Sequence, residues 1–210
     1  MPARLRPTAP IAADAILVGD PGRALMLAQE LLEQPKMSNH ARGLWGYTGV
    51  TASGDELTIQ ATGMGGPSAA VVVADLAELG VKQAIRVGTC ASLGDLDLAD
   101  LLVVAEANGQ RPDLELTKAL AAALPEAHRG PVVSLDTLYN PERDMPSVLV
   151  EAADMQTAAL LASAAEHGMA AAALLLVSEK SGSGRLQDEE LEDAAKLAGS
   201  AAAGVLSTSS

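Results

Sequence analysis

Three arginines in this chain sit inside glycine-containing segments. They are Arg23 in Gly19-Asp20-Pro21-Gly22-Arg23, Arg42 in Asn39-His40-Ala41-Arg42-Gly43, and Arg86 in Arg86-Val87-Gly88-Thr89-Cys90. A fourth segment, Gly63-Met64-Gly65-Gly66-Pro67-Ser68, has glycines without arginine. Arginine supplies a permanent charge and a planar fork that matches phosphate oxygens. Glycine lets the backbone turn tightly and approach a ligand. The combination reads as a place for one phosphate ion beside a sugar.

Each segment also has a plainer reading. Gly19–Arg23 falls between a strand and a helix, so backbone amides and the positive helix end point at an anion and Arg23 can close over it. Gly-Asp-Pro-Gly is equally good chemistry for an ordinary turn. Arg86-Val87-Gly88-Thr89 follows a buried strand, where ligands of α/β folds sit. The alternative there is a structural salt bridge for Arg86 and a turn at Gly88. Gly63–Ser68 fails as a dinucleotide fingerprint, because Ser68 takes the place of the third glycine. It reads as a glycine turn that admits a small ligand, or simply as a helix entry. Glu179, in Ser178-Glu179-Lys180 beside the loop Ser181–Gly184, is either a general acid or a solvent-facing acid paired with Lys180 or Arg185. His40, His128 and His167 share no ligand spacing, so no metal site is expected.

The elements that must carry these residues alternate short apolar runs with helical periodicity, which predicts an α/β fold. Strands are expected at Ala15–Val18, Leu44–Thr51, Leu57–Ala61, Ala84–Val87, Leu101–Val104, Val132–Val133 and Leu149–Val150. Helices are expected at Ala24–Gln34, from Pro67 to about Leu79, and at Leu114–Leu124, Asp154–His167 and Asp188–Leu206. Ala170–Val177 is ambiguous because alanine favours helix. Its shortness and its Leu-Leu-Leu-Val end favour a central strand. No repeat or linker divides the 210 residues, so one domain is expected over 1–210, with an N-terminal arm at 1–10 and a frayed tail at 207–210.

Composition excludes several classes. Net charge is −13, which argues against nucleic-acid binding, a function that needs a basic face. A local arginine cluster can still reverse the field for an anionic small substrate. Aromatics are scarce, one Trp and two Tyr with no Phe, so few side chains could stack a base. The single cysteine, Cys90, rules out an internal disulfide and reads as a small buried residue. The N-terminus lacks a signal-type apolar segment, and no apolar run is long enough to span a membrane. A cytoplasmic location is expected.

In order and spacing, GDPGR, NHARGLWGYTG, TGMGGPS and RVGTC resemble the nucleoside phosphorylase family that includes bacterial-type purine nucleoside phosphorylase and uridine phosphorylase. The resemblance runs from about Ala15 to Leu206. Ser134 to Pro141 resembles the family's base-pocket segment, Asp154-Met155-Gln156 stands where the family has Glu-Met-Glu, and Val177-Ser178-Glu179 stands where purine-specific members have Val-Ser-Asp. The resemblance implies a mixed sheet in a distorted barrel flanked by helices. It implies phosphorolysis of a ribonucleoside to free base and ribose 1-phosphate, with purines slightly ahead of uridine and inorganic phosphate as co-substrate, without a cofactor. Carried over, Gly19, Arg23, Arg86 and Thr89 bind phosphate, joined by Arg42 of a neighbouring subunit. Tyr139 lies against base or ribose, Met155 under the ribose, Gln156 at its hydroxyls, and Glu179 protonates the leaving purine. A homo-oligomer follows, its dimer unit sharing active sites, with a hexamer expected. The chain departs from the pattern at Gln156, Glu179 and Leu138 and is short between Asn108 and Pro131. Two alternatives therefore stand beside the main reading: a nucleosidase using water, and a degenerate member that binds without efficient turnover.

Overall fold

Alternate residues of each central strand enter different cores, and this period of two organises the molecule. In β1 (Asp14–Val18), Ala15 and Leu17 join one apolar cluster while Ile16 and Val18 join another. The same division runs along β9 (Ala170–Lys180), with Ala171, Ala173, Leu175 and Val177 on one side and Ala172 and Leu174 on the other. Both faces of the sheet are thus covered, as strands without polar alternation require. A computed structural model describes residues 4–135, 137, 150–180 and 183–208.

The remaining strands are β2 (Leu32–Asn39), β3 (Gly46–Thr51), β4 (Glu56–Ala61), β5 (Gln83–Ser92), β6 (Leu101–Ala107), β7 (His128–Ser134), β8 (Ala152–Asp154) and β10 (Gly184–Arg185). The helices are α1 (Pro21–Leu31), α2 (Gly66–Glu78), α3 (Leu114–Ala123), α4 (Thr157–Glu166) and α5 (Asp188–Thr208). β5, β9, β6, β7 and β8 pair in sequence, and β8 pairs back onto β5, which closes a five-stranded barrel of mixed direction. β1, β4, β3 and β2 extend the sheet outward from β5. This is the distorted barrel flanked by helices anticipated above. Among the described residues, no helix is long and apolar enough to cross a membrane.

Several boundaries differ from the sequence reading, each for a local reason. α1 stops at Leu31 rather than Gln34, because Leu32 turns extended and Pro35 follows. The residue before a proline avoids the helical region, and an edge strand with a bulge tolerates the missing N–H. The result is β2, an edge strand that pairs with β3 through a register shift between Glu33 and Lys36. β5 does not end at Val87 but continues to Ser92, so Gly88 and Thr89 are strand residues. The helix anticipated from Asp154 begins at Thr157, since Ala152–Asp154 pairs with β5 and β7. Val150 is not in a strand, and Leu149 lies outside the described residues. β9 runs through Ser178, Glu179 and Lys180 and forms a hairpin with β10.

Candidate active site

Arg86 is the centre of the site. It sits on β5 between Leu17 of β1 and Ala173 of β9, and its side chain is only 5% exposed. Its Nε donates to Thr157 Oγ1 at 3.1 Å, Nη1 to Gln156 Oε1 at 2.8 Å, and Nη2 to Asp154 Oδ2 at 3.0 Å. Asp154 is itself 1% exposed, so this is a fully buried ion pair. The same carboxylate accepts the backbone N–H and hydroxyl of Thr157 and the hydroxyl of Ser134. A buried carboxylate with this many donors is well satisfied. The structural salt bridge considered for Arg86 is therefore present. A guanidinium has five N–H donors, so Nη1 and Nη2 each keep one for a ligand.

Gln156 closes the next link. Its Oε1 accepts from Arg86 and lies 3.0 Å from the Thr62 hydroxyl, which also reaches the Val18 carbonyl. Its Nε2 donates to the carbonyls of Gly63 at 2.6 Å and Gly65 at 3.4 Å. Gly63 needs its missing side chain: its φ is +73°, and a Cβ there would come 2.7 Å from Ser68 Oγ. A Cβ on Gly19 would sit 3.5 Å from Gly63 O and 3.6 Å from Gln156 Oε1. Gly19, the Gly63 turn, Gln156 and Arg86 therefore converge on one place.

Arg23 stands in the first turn of α1, close enough to Arg86 for the two charges to interact. Burial foremost pushes its pKa below the ordinary arginine value; the Asp20 charge opposes this, and the positive charge of Arg86 adds to it. Among the described residues it forms no ion pair. Two guanidiniums this close attract an anion in principle. The amides expected to point at the anion are partly taken: Asp20 caps α1 by accepting from the N–H groups of Gly22 and Arg23. A cavity of about 330 Å³ is lined by Arg23 together with Asp20, Gly22, Met26, Asp188, Leu191 and Glu192. Its carboxylates make that cavity a poor home for phosphate.

Thr89 follows Arg86 on β5 and is half-buried. Cys90 is buried next to the ion pair; burial first and the Asp154 charge second push its thiol up to about 12, with Arg86 opposing. Met155 is half-buried beside Gln156, and its carbonyl approaches Gly66. Glu179 lies near the end of β9, and its carboxylate is 41% exposed and ion-paired to Arg185 on β10 at 2.9 Å. Lys180 pairs instead with Asp97 at 2.6 Å. Tyr139 and Leu138 lie outside the described residues.

Arg42 stands apart from this cluster. It is exposed, in a 3-10 turn after the edge strand β2, with a left-handed φ of 60° that a non-glycine residue rarely adopts. Two buried amides fasten the turn. Asn39 donates to Leu44 O and Ala41 O, and Gln60 donates to Leu44 O and Trp45 O. Sequence reasoning passed over Asn39 as a holder, Gln60, Thr62 and Thr157. The available signal was polar side chains inside apolar strand runs, as in Glu56-Leu-Thr-Ile-Gln60-Ala.

Comparison with known proteins identifies the family and the fold. The chain matches the sequence profile of the phosphorylase superfamily over residues 14–116 and 109–209. It is 34% identical over 198 residues to the DeoD-type purine nucleoside phosphorylase of Oceanobacillus iheyensis, covering 80% of this chain and 83% of that protein. The DeoD-type enzyme of Caldanaerobacter subterraneus subsp. tengcongensis is 36% identical over 194 residues, with the same coverage of 80% and 83%. The fold resembles the crystal structure of uridine phosphorylase from Vibrio fischeri ES114, with a TM-score of 0.84 at 23% identity, covering 94% of this chain and 92% of that one.

Proposed function

The chain belongs to the phosphorylase superfamily, and from that premise we propose that it is a pentosyltransferase that cleaves ribonucleosides with inorganic phosphate, purine nucleosides ahead of uridine. The observation that carries this reading is the pair Arg86 and Arg23, two guanidiniums close enough for their charges to interact, the first of them tied through Gln156 to the glycine turn beside Gly19. A hydrolase acting with water has no use for such a pair.

In the proposed reaction a phosphate oxygen attacks the anomeric carbon of the sugar. The glycosidic C–N bond breaks, its electron pair leaves with the base, and the base nitrogen takes up a proton. The products are free base and ribose 1-phosphate. Gly19, Arg23, Arg86 and Thr89 hold the phosphate, and the charged donors stay fixed as the bond forms. Met155, Tyr139 and Gln156 border the nucleoside. Glu179 protonates the departing purine. Its ion pair with Arg185 must open or hand the proton on for this step, since the carboxylate is neither enclosed nor unpaired.

Arg42 completes the phosphate site of a second copy, which makes the working unit a dimer within a homo-oligomer, with a hexamer as the larger assembly. Support comes from its exposure, its left-handed backbone, and exposed apolar side chains on the same outer strands and turns: Met37, Trp45, Val50 and Met64. A soluble enzyme of this kind acts in the cytoplasm.

The test is product formation from inosine, adenosine, guanosine and uridine with and without phosphate. Ribose 1-phosphate should appear only with phosphate and fastest from a purine nucleoside. Cleavage at the same rate in phosphate-free buffer would make the protein a nucleosidase. Phosphate binding without turnover of any nucleoside would make it a binding protein.

A further inference from the structure

Gln156 is spent on the protein before any ligand arrives. It is 3% exposed, and both ends of its amide are engaged. An amide oxygen has two acceptor positions and an amide nitrogen two donors. Here the oxygen accepts from Arg86, with the Thr62 hydroxyl shared between it and the Val18 carbonyl, and the nitrogen faces the carbonyls of Gly63 and Gly65. The reverse orientation would set two donors against each other at Arg86 and two acceptors at Gly63, so the environment selects this one. Asp154 is similarly committed, to Arg86, Thr157 and Ser134. Both residues are buried, so a sugar hydroxyl would have to displace these protein partners to reach either of them.

We infer that Gln156 is a positioning residue for phosphate: its amide ties the Arg86 guanidinium on β5 to the carbonyls of the Gly63–Gly66 turn, beside Gly19, and acts on the sugar only through them. This rests on the phosphate and nucleoside reading of the site. It also explains why an amide stands here. A carboxylate could accept from Arg86, but it has no N–H for the Gly63 carbonyl 2.6 Å away. Glutamate at this position would set a negative charge against two carbonyl oxygens. It would also give Arg86 a second anionic partner besides Asp154, in direct competition with phosphate for that guanidinium. The neutral amide fixes Arg86 without cancelling its charge.

The consequence is opposite to that of a direct sugar ligand. A side chain that binds a ribose hydroxyl affects ribonucleosides more than 2′-deoxynucleosides. One that places Arg86 and the glycine turn affects both alike, and shows first in phosphate binding.

The experiment uses the full chain and two variants, Gln156→Glu and Gln156→Leu. Phosphate affinity is measured by calorimetry without nucleoside; kcat and KM are measured for phosphate, inosine and 2′-deoxyinosine. Both variants should bind phosphate about tenfold more weakly or worse, the scale of one charge-assisted hydrogen bond. Both should raise the KM for phosphate and lower turnover of inosine and 2′-deoxyinosine by the same factor. Unchanged phosphate affinity with a loss confined to inosine would overturn the inference, as would Gln156→Glu turning over faster than the natural protein. If the natural protein binds phosphate yet cleaves no nucleoside, the phosphorolysis reading fails, and calorimetry on the variants still decides the role of Gln156.

Discussion

The guanidinium of Arg86 lies against Gly88, two residues on along the same face of β5. A Cβ at position 88 would come 2.5 Å from both Cζ and Nη2 of Arg86. Three hydrogen bonds anchor that guanidinium, so it has no easy way to retreat. The glycine of Arg-Val-Gly-Thr is therefore required by the arginine before it and not by any turn.

Gly88→Ala should displace Arg86 and weaken phosphate binding about tenfold or more, the loss expected when one charged hydrogen bond is misplaced. Calorimetric phosphate titration checks this directly. An alanine variant that binds phosphate like the natural protein would show that Arg86 has another place to lie.

Asp154 should matter more for stability than for phosphate contact. Asp154→Ala leaves Arg86 buried without its anion and removes the acceptor of Thr157 and Ser134. Breaking a buried pair from one side costs about 3–5 kcal/mol. Urea unfolding should register that loss, and added phosphate should stabilise the variant more than the natural protein, because it replaces the missing negative charge. Equal stabilisation of both proteins by phosphate would separate Arg86 from the anion site.

How far the site could be read in advance depended on whether chemistry was local. Gly19, Arg23, Arg86 and Thr89 stand out in the sequence by type and spacing, and the sheet brings Gly19 near Gln156, which bonds Arg86. The strand identity of Ala170–Val177 was legible from its length and its leucines, and period-two burial explains it. β2 was not legible, because Leu32–Asn39 is a polar edge strand defined by its pairing to β3 and by Pro35. Nor was the commitment of Gln156: its partners Gly63 and Arg86 are 93 and 70 residues away along the chain. The ion pair of Glu179 with Arg185 was among the alternatives the sequence offered, and the hairpin of β9 with the two-residue β10 decides it over Lys180.

Cys90 should give alkaline instability. Its thiol rises from an ordinary 9.0 to about 12 in the folded protein. Below pH 9 both folded and unfolded chains hold the proton, and the thiol costs nothing. Above pH 9 the unfolded chain releases it first, so stability falls by up to about 1.4 kcal/mol per pH unit until the folded thiol also ionises. Cys90→Ala should show a shallower decline between pH 9 and 11 in denaturant titrations. Parallel slopes for the two proteins would mean that the thiol ionises in the folded state at its usual pH.

Arg42 gives a test of the shared site that needs no structure of the oligomer. If Arg42 serves a neighbour's phosphate while Arg86 serves its own, Arg42→Ala and Arg86→Ala each spoil every site of their own homo-oligomer. Mixed within one two-fold dimer, the two defects fall together in one site and leave the other intact. Random exchange of equal amounts makes half the dimers mixed, each with one of two sites whole, so activity should return to about one quarter of the natural level. Subunit exchange is followed by native mass spectrometry on tagged chains. Mixed dimers that form and remain inactive would place Arg42 and Arg86 in the same subunit's site. The turn that holds Arg42 is fastened by Asn39 and Gln60, so Gln60→Leu should loosen it and impair the same function. A mixture of Gln60→Leu with Arg86→Ala should then recover activity, while a mixture of Gln60→Leu with Arg42→Ala should not.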